Sequence, residues 1–588
     1  MRKWSVKLIT MLCAVALLAA MVPLSALPVS AGKALPHRSE TTLMEKILER
    51  DGFIEGIWFP WLTHTYLGCG LTSNELAAQW LNGWSGGTNC WYDFSKVGID
   101  EYGTEKIYQE IYNLKSLGYN MMGYEGSIYG EGVIYDDTGD VIGIKKEYLH
   151  NVRRLLDICR DVGMPVLWTV CCHTSSVNHY YTNGKAFSDM ATRFYADPVV
   201  ADHYAERFVK PLAKVLAEYP DVVAMVASTS EAENEMNESL VGNQFGSDRD
   251  LYGVSQENML YFVNAVTEAV KAAFPAVPRT ICCQLNDMSM YSEVDFDVLG
   301  DQNYNWAGNS APIEGFRSPV PMIVSEFGLG DDLSYADDEL TRLQLTFRKN
   351  FRQAGYKGCF MWCWSSNSTS GSAYDLLKKG AKNVTDFRDT AYELYHYFEE
   401  QRDVHRGDKT VLDTPQLFCN TGNGMVEWIA PRQTAYYDFL RSDDGGKTWI
   451  KEEDNKKISS TNAGRKMQCL SEETPTANTV YKIVVRDGKG NEKSSQVSNK
   501  ASDCSQFNTK YSGTNEEKTY NLSNYPLNLK KVSPVVPMLL TAVSAEHNRP
   551  AKAESNLLKE GSFESSAGGF TTSSVLSVVS DKTAPEGS

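Results

Sequence analysis

Between residues 50 and 400 the chain repeats one pattern eight times: a short, nearly continuous apolar run, then in most units a segment with helical spacing. The runs are Phe53–Phe59, Tyr119–Tyr124, Pro165–Cys171, Asp221–Ser228, Arg279–Leu285, Val298–Tyr304, Pro321–Ser325 and Lys357–Trp362. A strand covered on both faces is apolar throughout, whereas a half-exposed strand alternates, so these runs belong in a parallel sheet. Val152, Leu155, Leu156 and Cys159 form a helical stripe, as do Phe208, Leu212, Val215, Leu216 and Tyr219. Further helices are expected at Thr104–Leu117, Gln256–Phe274, Asp338–Ala354 and Thr385–Glu400, with the fifth and sixth helices short or irregular. Eight such units predict an α/β fold, a (β/α)8 TIM barrel with enlarged loops. The alternative is an open doubly wound sheet, which would usually carry an early Gly-rich phosphate turn; none is present.

After about residue 410 the helical spacing stops. Short alternating segments, Gly424–Trp428, Ala435–Arg441, Thr448–Lys451 and Thr479–Arg486, are separated by turn clusters. They predict an all-β sandwich over 411–500 that resembles fibronectin type III modules. Residues 501–552 are polar and proline-punctuated, which reads as a linker. Asn556–Glu564 then resembles the first strand of a carbohydrate-binding jelly roll, so 553–588 is expected to be the start of such a module. At the other end, Arg2, Lys3 and Lys7 precede an apolar run from Leu8 to Val22 and small residues ending in Val29-Ser30-Ala31. This predicts a signal peptide over 1–31, a secreted protein, and a first domain spanning 32–406. No second long apolar run occurs, so no membrane span is expected after cleavage.

The formal charge is −17, and −20 once the signal is removed. A protein that binds polyanions needs a basic face, so nucleic acid is not an expected partner. The 12 Trp and 31 Tyr fit another partner class, because these side chains stack on sugar rings. Cys171, Cys172, Cys282, Cys283, Cys359 and Cys363 lie in strand runs, where cysteine acts as a small core residue. Cys69–Cys90 and Cys419–Cys469 are the candidate bridges. No paired CxxC or His spacing points to zinc, and no metal or organic cofactor is expected.

Barrel active sites lie at the C-terminal ends of the strands. The seventh run ends in Glu326-Phe327-Gly328, and the fourth leads into Glu231-Ala232-Glu233-Asn234-Glu235. Carboxylates from strands 4 and 7 can face each other across a barrel mouth. Retaining glycosidases need such a pair: one attacks the anomeric carbon, the other gives and takes the proton. In these residues the 50–400 region resembles the clan A retaining glycoside hydrolases, which include family 5. The resemblance implies that Glu326, in Val324-Ser325-Glu326-Phe327-Gly328, is the nucleophile and Glu231 the acid/base, with Glu233 the alternative. It implies substrate-side roles for Tyr304, Trp362, Trp364 and His173, while Trp80, Trp84 and Trp91 are candidates to line the cleft. The substrate would be a β-linked poly- or oligosaccharide. Three positions depart from the clan. Ser230 stands where Asn usually precedes the acid/base. Gly118–Gly123 lacks the strand-2 Arg. The strand-6 His-x-Tyr is Gln302-Asn303-Tyr304.

Other motifs have simpler readings. Gly83-Trp84-Ser85-Gly86-Gly87 matches a serine-hydrolase elbow, but helix-like sequence precedes it instead of a strand. Ser442–Trp449 matches an Asp box once, which reads as a hairpin turn. Asp136–Asp140 lacks the rest of a calcium loop and reads as a hairpin tip. The competing functions are a glycan-binding protein on a barrel without turnover, and an esterase using Ser85.

Overall fold

The structure, a computed structural model, describes residues 41–59, 104–127, 132–172, 181–182, 185–186, 193–236, 254–284, 288–303, 318, 320–328, 337–364, 376, 387–420, 422–459, 464 and 466–503. The expected signal peptide, most of the linker and the jelly-roll start lie outside these residues. Among the described residues no helix is long and apolar enough to cross a membrane.

Eight parallel strands close into a barrel. They are β1 (Ile54–Trp58), β2 (Met121–Glu125), β3 (Val166–Thr169), β4 (Val223–Ser230), β5 (Arg279–Cys283), β6 (Leu299–Asn303), β7 (Met322–Phe327) and β8 (Gly358–Met361). Each pairs with its neighbours in sequence, and β1 closes on β8 with Ile54 opposite Gly358. The open-sheet alternative is therefore excluded. Helices follow as expected at Thr104–Ser116, Lys146–Val162, Gln256–Ala273, Asp337–Ala354 and Asp389–Arg406. The third runs as Pro198–Tyr204, a π-turn Ala205–Val209 and Lys210–Leu216. After β5 only the 3-10 turn Ser289–Tyr291 is formed among the described residues, as its weak periodicity implies. The Asp136–Asp140 tip joins the antiparallel strands Val133–Tyr135 and Val141–Ile144, the hairpin expected after β2.

Side chains alternate across each strand, so the barrel has two apolar layers. Outward residues such as Ile57, Val166, Val324 and Phe327 meet the helices. Inward residues such as Ile54, Met121, Leu167, Met225, Ile323 and Phe360 fill the lumen, joined by Met44 and Ile47 of the Leu43–Asp51 helix that leads into β1. Thr42 and Glu45 cap that helix reciprocally. A Cβ at Gly300 would overlap the Ile281 carbonyl, so glycine permits the close approach of β5 and β6.

The C-terminal region forms two antiparallel sheets, one of Gln416–Leu417, Met425–Ile429 and Lys466–Leu470, the other of Ile450–Lys457, Tyr436–Ser442, Val480–Arg486 and Glu492–Ser494. Val426, Trp428, Met467 and Cys469 of the first pack against Tyr437, Phe439, Tyr481 and Ile483 of the second. The Asp-box turn is structural as expected: Asp444 accepts hydrogen bonds from Ser442 Oγ, Thr448 Oγ1 and the Lys447 and Thr448 amides.

The change of texture near 410 suggests few contacts across that boundary, and here the structure differs. The Cys419 amide donates to Asn113 Oδ1 at 3.0 Å, and Phe418 stacks near Phe387 with ring centroids 5.2 Å apart. Arg432 reaches back to Glu399 at 3.1 Å and Asp403 at 2.8 Å, both in the last barrel helix. Phe418 and Ile429 belong to the outer core of the barrel. The sandwich is a buttress bonded to the first and last barrel helices. The Cys419–Cys469 bridge is also overturned. The Cys419 thiol faces the Gln109 carbonyl and the Cys469 thiol faces Glu453, so the two are not joined. Cys69 and Cys90 lie outside the described residues.

Candidate active site

Glu326 and Glu231 each follow a backbone irregularity. Asp301 pairs with Val324 but Gln302 with Glu326, so β7 carries one extra residue against β6. The bulge re-aims the chain: Val324 and Phe327 pack outward, while the Ser325 hydroxyl faces Cys282 of the lumen and the Glu326 carboxylate meets the inward Gln302. A second shift lies between Ala227 and Ser230 of β4, opposite Thr280 and Cys282. Glu231 then takes φ 54°, ψ 27°, a left-handed conformation that costs a non-glycine residue about 1–2 kcal/mol. Its amide nevertheless donates to the Cys282 carbonyl at 2.9 Å, which fixes it at the rim of β5. Both carboxylates are buried, each with 2% exposure.

A glutamine contacts each of them. Gln302 Nε2 lies 3.4 Å from Glu326 Oε2 and 3.5 Å from Ser230 Oγ. Gln284, just after β5, places Nε2 3.4 Å from Glu231 Oε1. Each glutamine holds one glutamate, and Gln302 spans the mouth from β4 to β7. Strand ends in a barrel are where polar residues are informative, yet sequence reading missed Gln284 and treated Gln302 only as a departure. It also missed Glu125, which ends β2 and is buried. The charges of Glu125 and Glu326 both act on the Cys282 thiol, which burial in the lumen pushes far above the ordinary thiol range.

Glu233 points elsewhere. Tyr291 Oη donates to its Oε1 at 2.6 Å and the Gln284 amide to its Oε2 at 3.3 Å. Burial raises its pKa, with the tyrosine hydrogen bond opposing. Glu233 thus ties the Ala232–Glu235 turn to Tyr291 and β5. Asp301 lies on the outward side of β6, where burial pushes its carboxyl up to about 7 against a hydrogen bond donated by Tyr356 at 3.1 Å.

Trp362 is half-buried, its ring 6.2 Å from Trp58 inside the lumen. Trp364 is buried, with its ring centroid 5.6 Å from that of Phe387. Tyr304, His173, Trp80, Trp84, Trp91 and Ser85 lie outside the described residues.

No protein-family model matches the chain, and no curated protein matches it in sequence. Solved structures similar to it include the β-mannanase of the blue mussel Mytilus edulis, at 16% identity over 59% of this chain and 92% of that one, TM-score 0.39. The endo-1,4-β-mannanase of Eisenia fetida is 15% identical over 57% of this chain and 91% of that one, TM-score 0.40. The exo-β-1,4-mannosidase of an Opitutaceae bacterium is 14% identical over 60% of each chain, TM-score 0.40.

Proposed function

We propose that the protein is a secreted retaining glycoside hydrolase that cleaves a β-linked poly- or oligosaccharide, with Glu326 as nucleophile and Glu231 as acid/base. The observation that carries this reading is the pair of buried carboxylates at the C-terminal ends of β4 and β7, with Gln302 reaching from Glu326 to Ser230, the residue before Glu231. In the first step Glu326 attacks the anomeric carbon as Glu231 passes its proton to the departing glycosidic oxygen, leaving a glycosyl ester on Glu326. In the second, Glu231 takes a proton from water. The water oxygen displaces Glu326 from the sugar, and a second inversion restores the starting configuration. The hydrogen bonds of Glu233 to Tyr291 and the Gln284 amide favour Glu231 over Glu233 for this role. Trp362 is only half-buried, which suits stacking on a sugar, whereas the packing of Trp364 on Phe387 suits a core residue. The fibronectin type III-like sandwich and the jelly-roll start would position the barrel on glycan.

A mechanism-based 2-deoxy-2-fluoro β-glycoside with an activated leaving group tests the proposal. Peptide mapping should find the sugar on Glu326; a label on another residue rejects the assignment. The second reading, a glycan-binding barrel without turnover, is favoured by Glu125 on the strand where the clan places an arginine. It predicts glycan binding without labelling.

A further inference from the structure

We infer that Gln302 is the positioning residue for Glu326, and that its Oε1 accepts a hydrogen bond from a hydroxyl of the sugar being transferred. The inference rests on the reading of Glu326 as nucleophile. An ionised carboxylate only accepts hydrogen bonds. Gln302 must therefore turn Nε2, not Oε1, toward Glu326, and the distances of 3.4 Å to Glu326 and 3.5 Å to Ser230 Oγ use both amide hydrogens. The amide orientation is fixed by chemistry at one end. The other end is then an acceptor, and Gln302 Oε1 is buried with no partner among the described residues. The side chain is 6% exposed. A buried acceptor without a donor is costly to keep, and at a site for sugars its natural donor is a substrate hydroxyl.

The location narrows the hydroxyl. Gln302 touches the nucleophile on one side and, on the other, Ser230, the residue before Glu231. A sugar whose anomeric carbon faces Glu326 carries its 2-hydroxyl next to that carbon. Ser230 takes one of the Gln302 amide hydrogens, and Gln302 Oε1 supplies the acceptor from the strand beside β7. The hydrogen bonds here are long, as catalytic hydrogen bonds often are before substrate tightens them. A neutral amide also holds the nucleophile without a charge of its own, so the grip does not titrate.

The test uses the full chain and a panel of 2,4-dinitrophenyl β-glycosides with gluco, manno, galacto and xylo configurations, plus the 2-deoxy form of whichever is hydrolysed. Gln302→Leu should lower kcat about tenfold to a hundredfold, the range for a hydrogen bond to a charged group. Its thermal midpoint should not fall, because the unpartnered acceptor goes with the amide. Removing the 2-hydroxyl should cost wild type more than Gln302→Leu. Gln302→Glu should move the acidic limb of the kcat/KM profile to higher pH, since two carboxyls in contact do not both ionise readily. Gln302→His restores a neutral donor and should recover part of kcat, with a new limb at the imidazole's titration. If Gln302→Leu keeps wild-type kcat, KM and pH profile while Glu326→Ala is inactive, the role of Gln302 is wrong and the reading of Glu326 stands. If Glu326→Ala turns over like wild type, the underlying reading is wrong. If Gln302→Leu does not fold, an unchanged pH profile in both other variants overturns the inference.

Discussion

The barrel mouth and the sandwich both bury carboxylates, and they treat them differently. In the sandwich each meets cations or a full set of donors. Asp438 accepts from Arg486 at 2.7 Å and Lys451 at 3.0 Å, Glu452 from Arg441 at 2.9 Å, and Glu427 from Lys466 at 2.7 Å. The Arg486 hydrogen bond leads in holding Asp438 far below the usual carboxylate range. At the barrel mouth the donors seen are neutral, Gln302 for Glu326, Gln284 for Glu231 and Tyr291 for Glu233, as is Tyr356 for Asp301 on the outer side of β6. Buried carboxylates gathered beside neutral donors at a barrel mouth are candidates for function. The sandwich carboxylates hold a fold together. On the proposed reading, those at the barrel mouth keep a charge or proton to exchange.

That contrast breaks most readily by exchanging readouts between the two regions. Glu326→Ala should reduce hydrolysis at least about a thousandfold by removing the covalent route, while leaving the thermal midpoint intact. Asp438→Ala should do the reverse, costing about 1–3 kcal/mol of stability with kcat/KM unchanged. Activity loss in the second, or unfolding in the first, would erase the distinction.

Arg432→Ala addresses the contact between the regions. It strips a partner from Glu399 and Asp403, whose side chains are 0% and 2% exposed. About 2–4 kcal/mol should be lost, read by denaturant unfolding. The barrel signal should shift with that of the sandwich, because the sandwich is a buttress. A barrel transition that stays put would restore the picture of independent domains.

The pH dependence of stability should have opposite slopes in the two regions. Asp301 titrates near 7 when folded and near the ordinary aspartate value, about 3.9, when unfolded. Between these values the folded barrel holds a proton that the unfolded chain releases. Stability is therefore complete below about 4 and falls as pH rises through 7. Asp301→Asn should flatten this slope in thermal melts at fixed ionic strength. Asp438 has the opposite sign: its contribution is present above about 4 and is lost on acidification. Tyr356→Phe is the smallest perturbation, about 1 kcal/mol, because it removes one donor from a carboxyl that is already largely protonated in acid.

The barrel was legible because each strand is apolar on both faces. All eight expected runs overlap the observed strands, and Gln256–Ala273 and Asp337–Ala354 fall within one residue of their expected bounds. Glu326 and Glu231 were legible as strand-end carboxylates. The bulges that aim the site were not, since an extra residue between Ala227 and Ser230 leaves no mark in an apolar run. Gln284 and Gln302 were passed over because an amide carries no titration signature and acquires meaning only beside a carboxylate. The interface was hidden for a similar reason. Asn113, Glu399, Asp403 and Arg432 read as solvated helix and turn residues until the fold brings them together.

The most direct measurement of the central claim is azide rescue on the acid/base variant. With an activated aryl β-glycoside, Glu231→Ala should still form the glycosyl ester, because a good leaving group needs little protonation. The second step then lacks its base, so the ester should accumulate on Glu326. Azide needs no base. It should restore turnover and give the β-glycosyl azide, identified by NMR. Rescue in Glu233→Ala but not in Glu231→Ala would move the acid/base two residues along. Rescue in neither, with a retaining wild type, would contradict the assignment of a carboxylate at the end of β4.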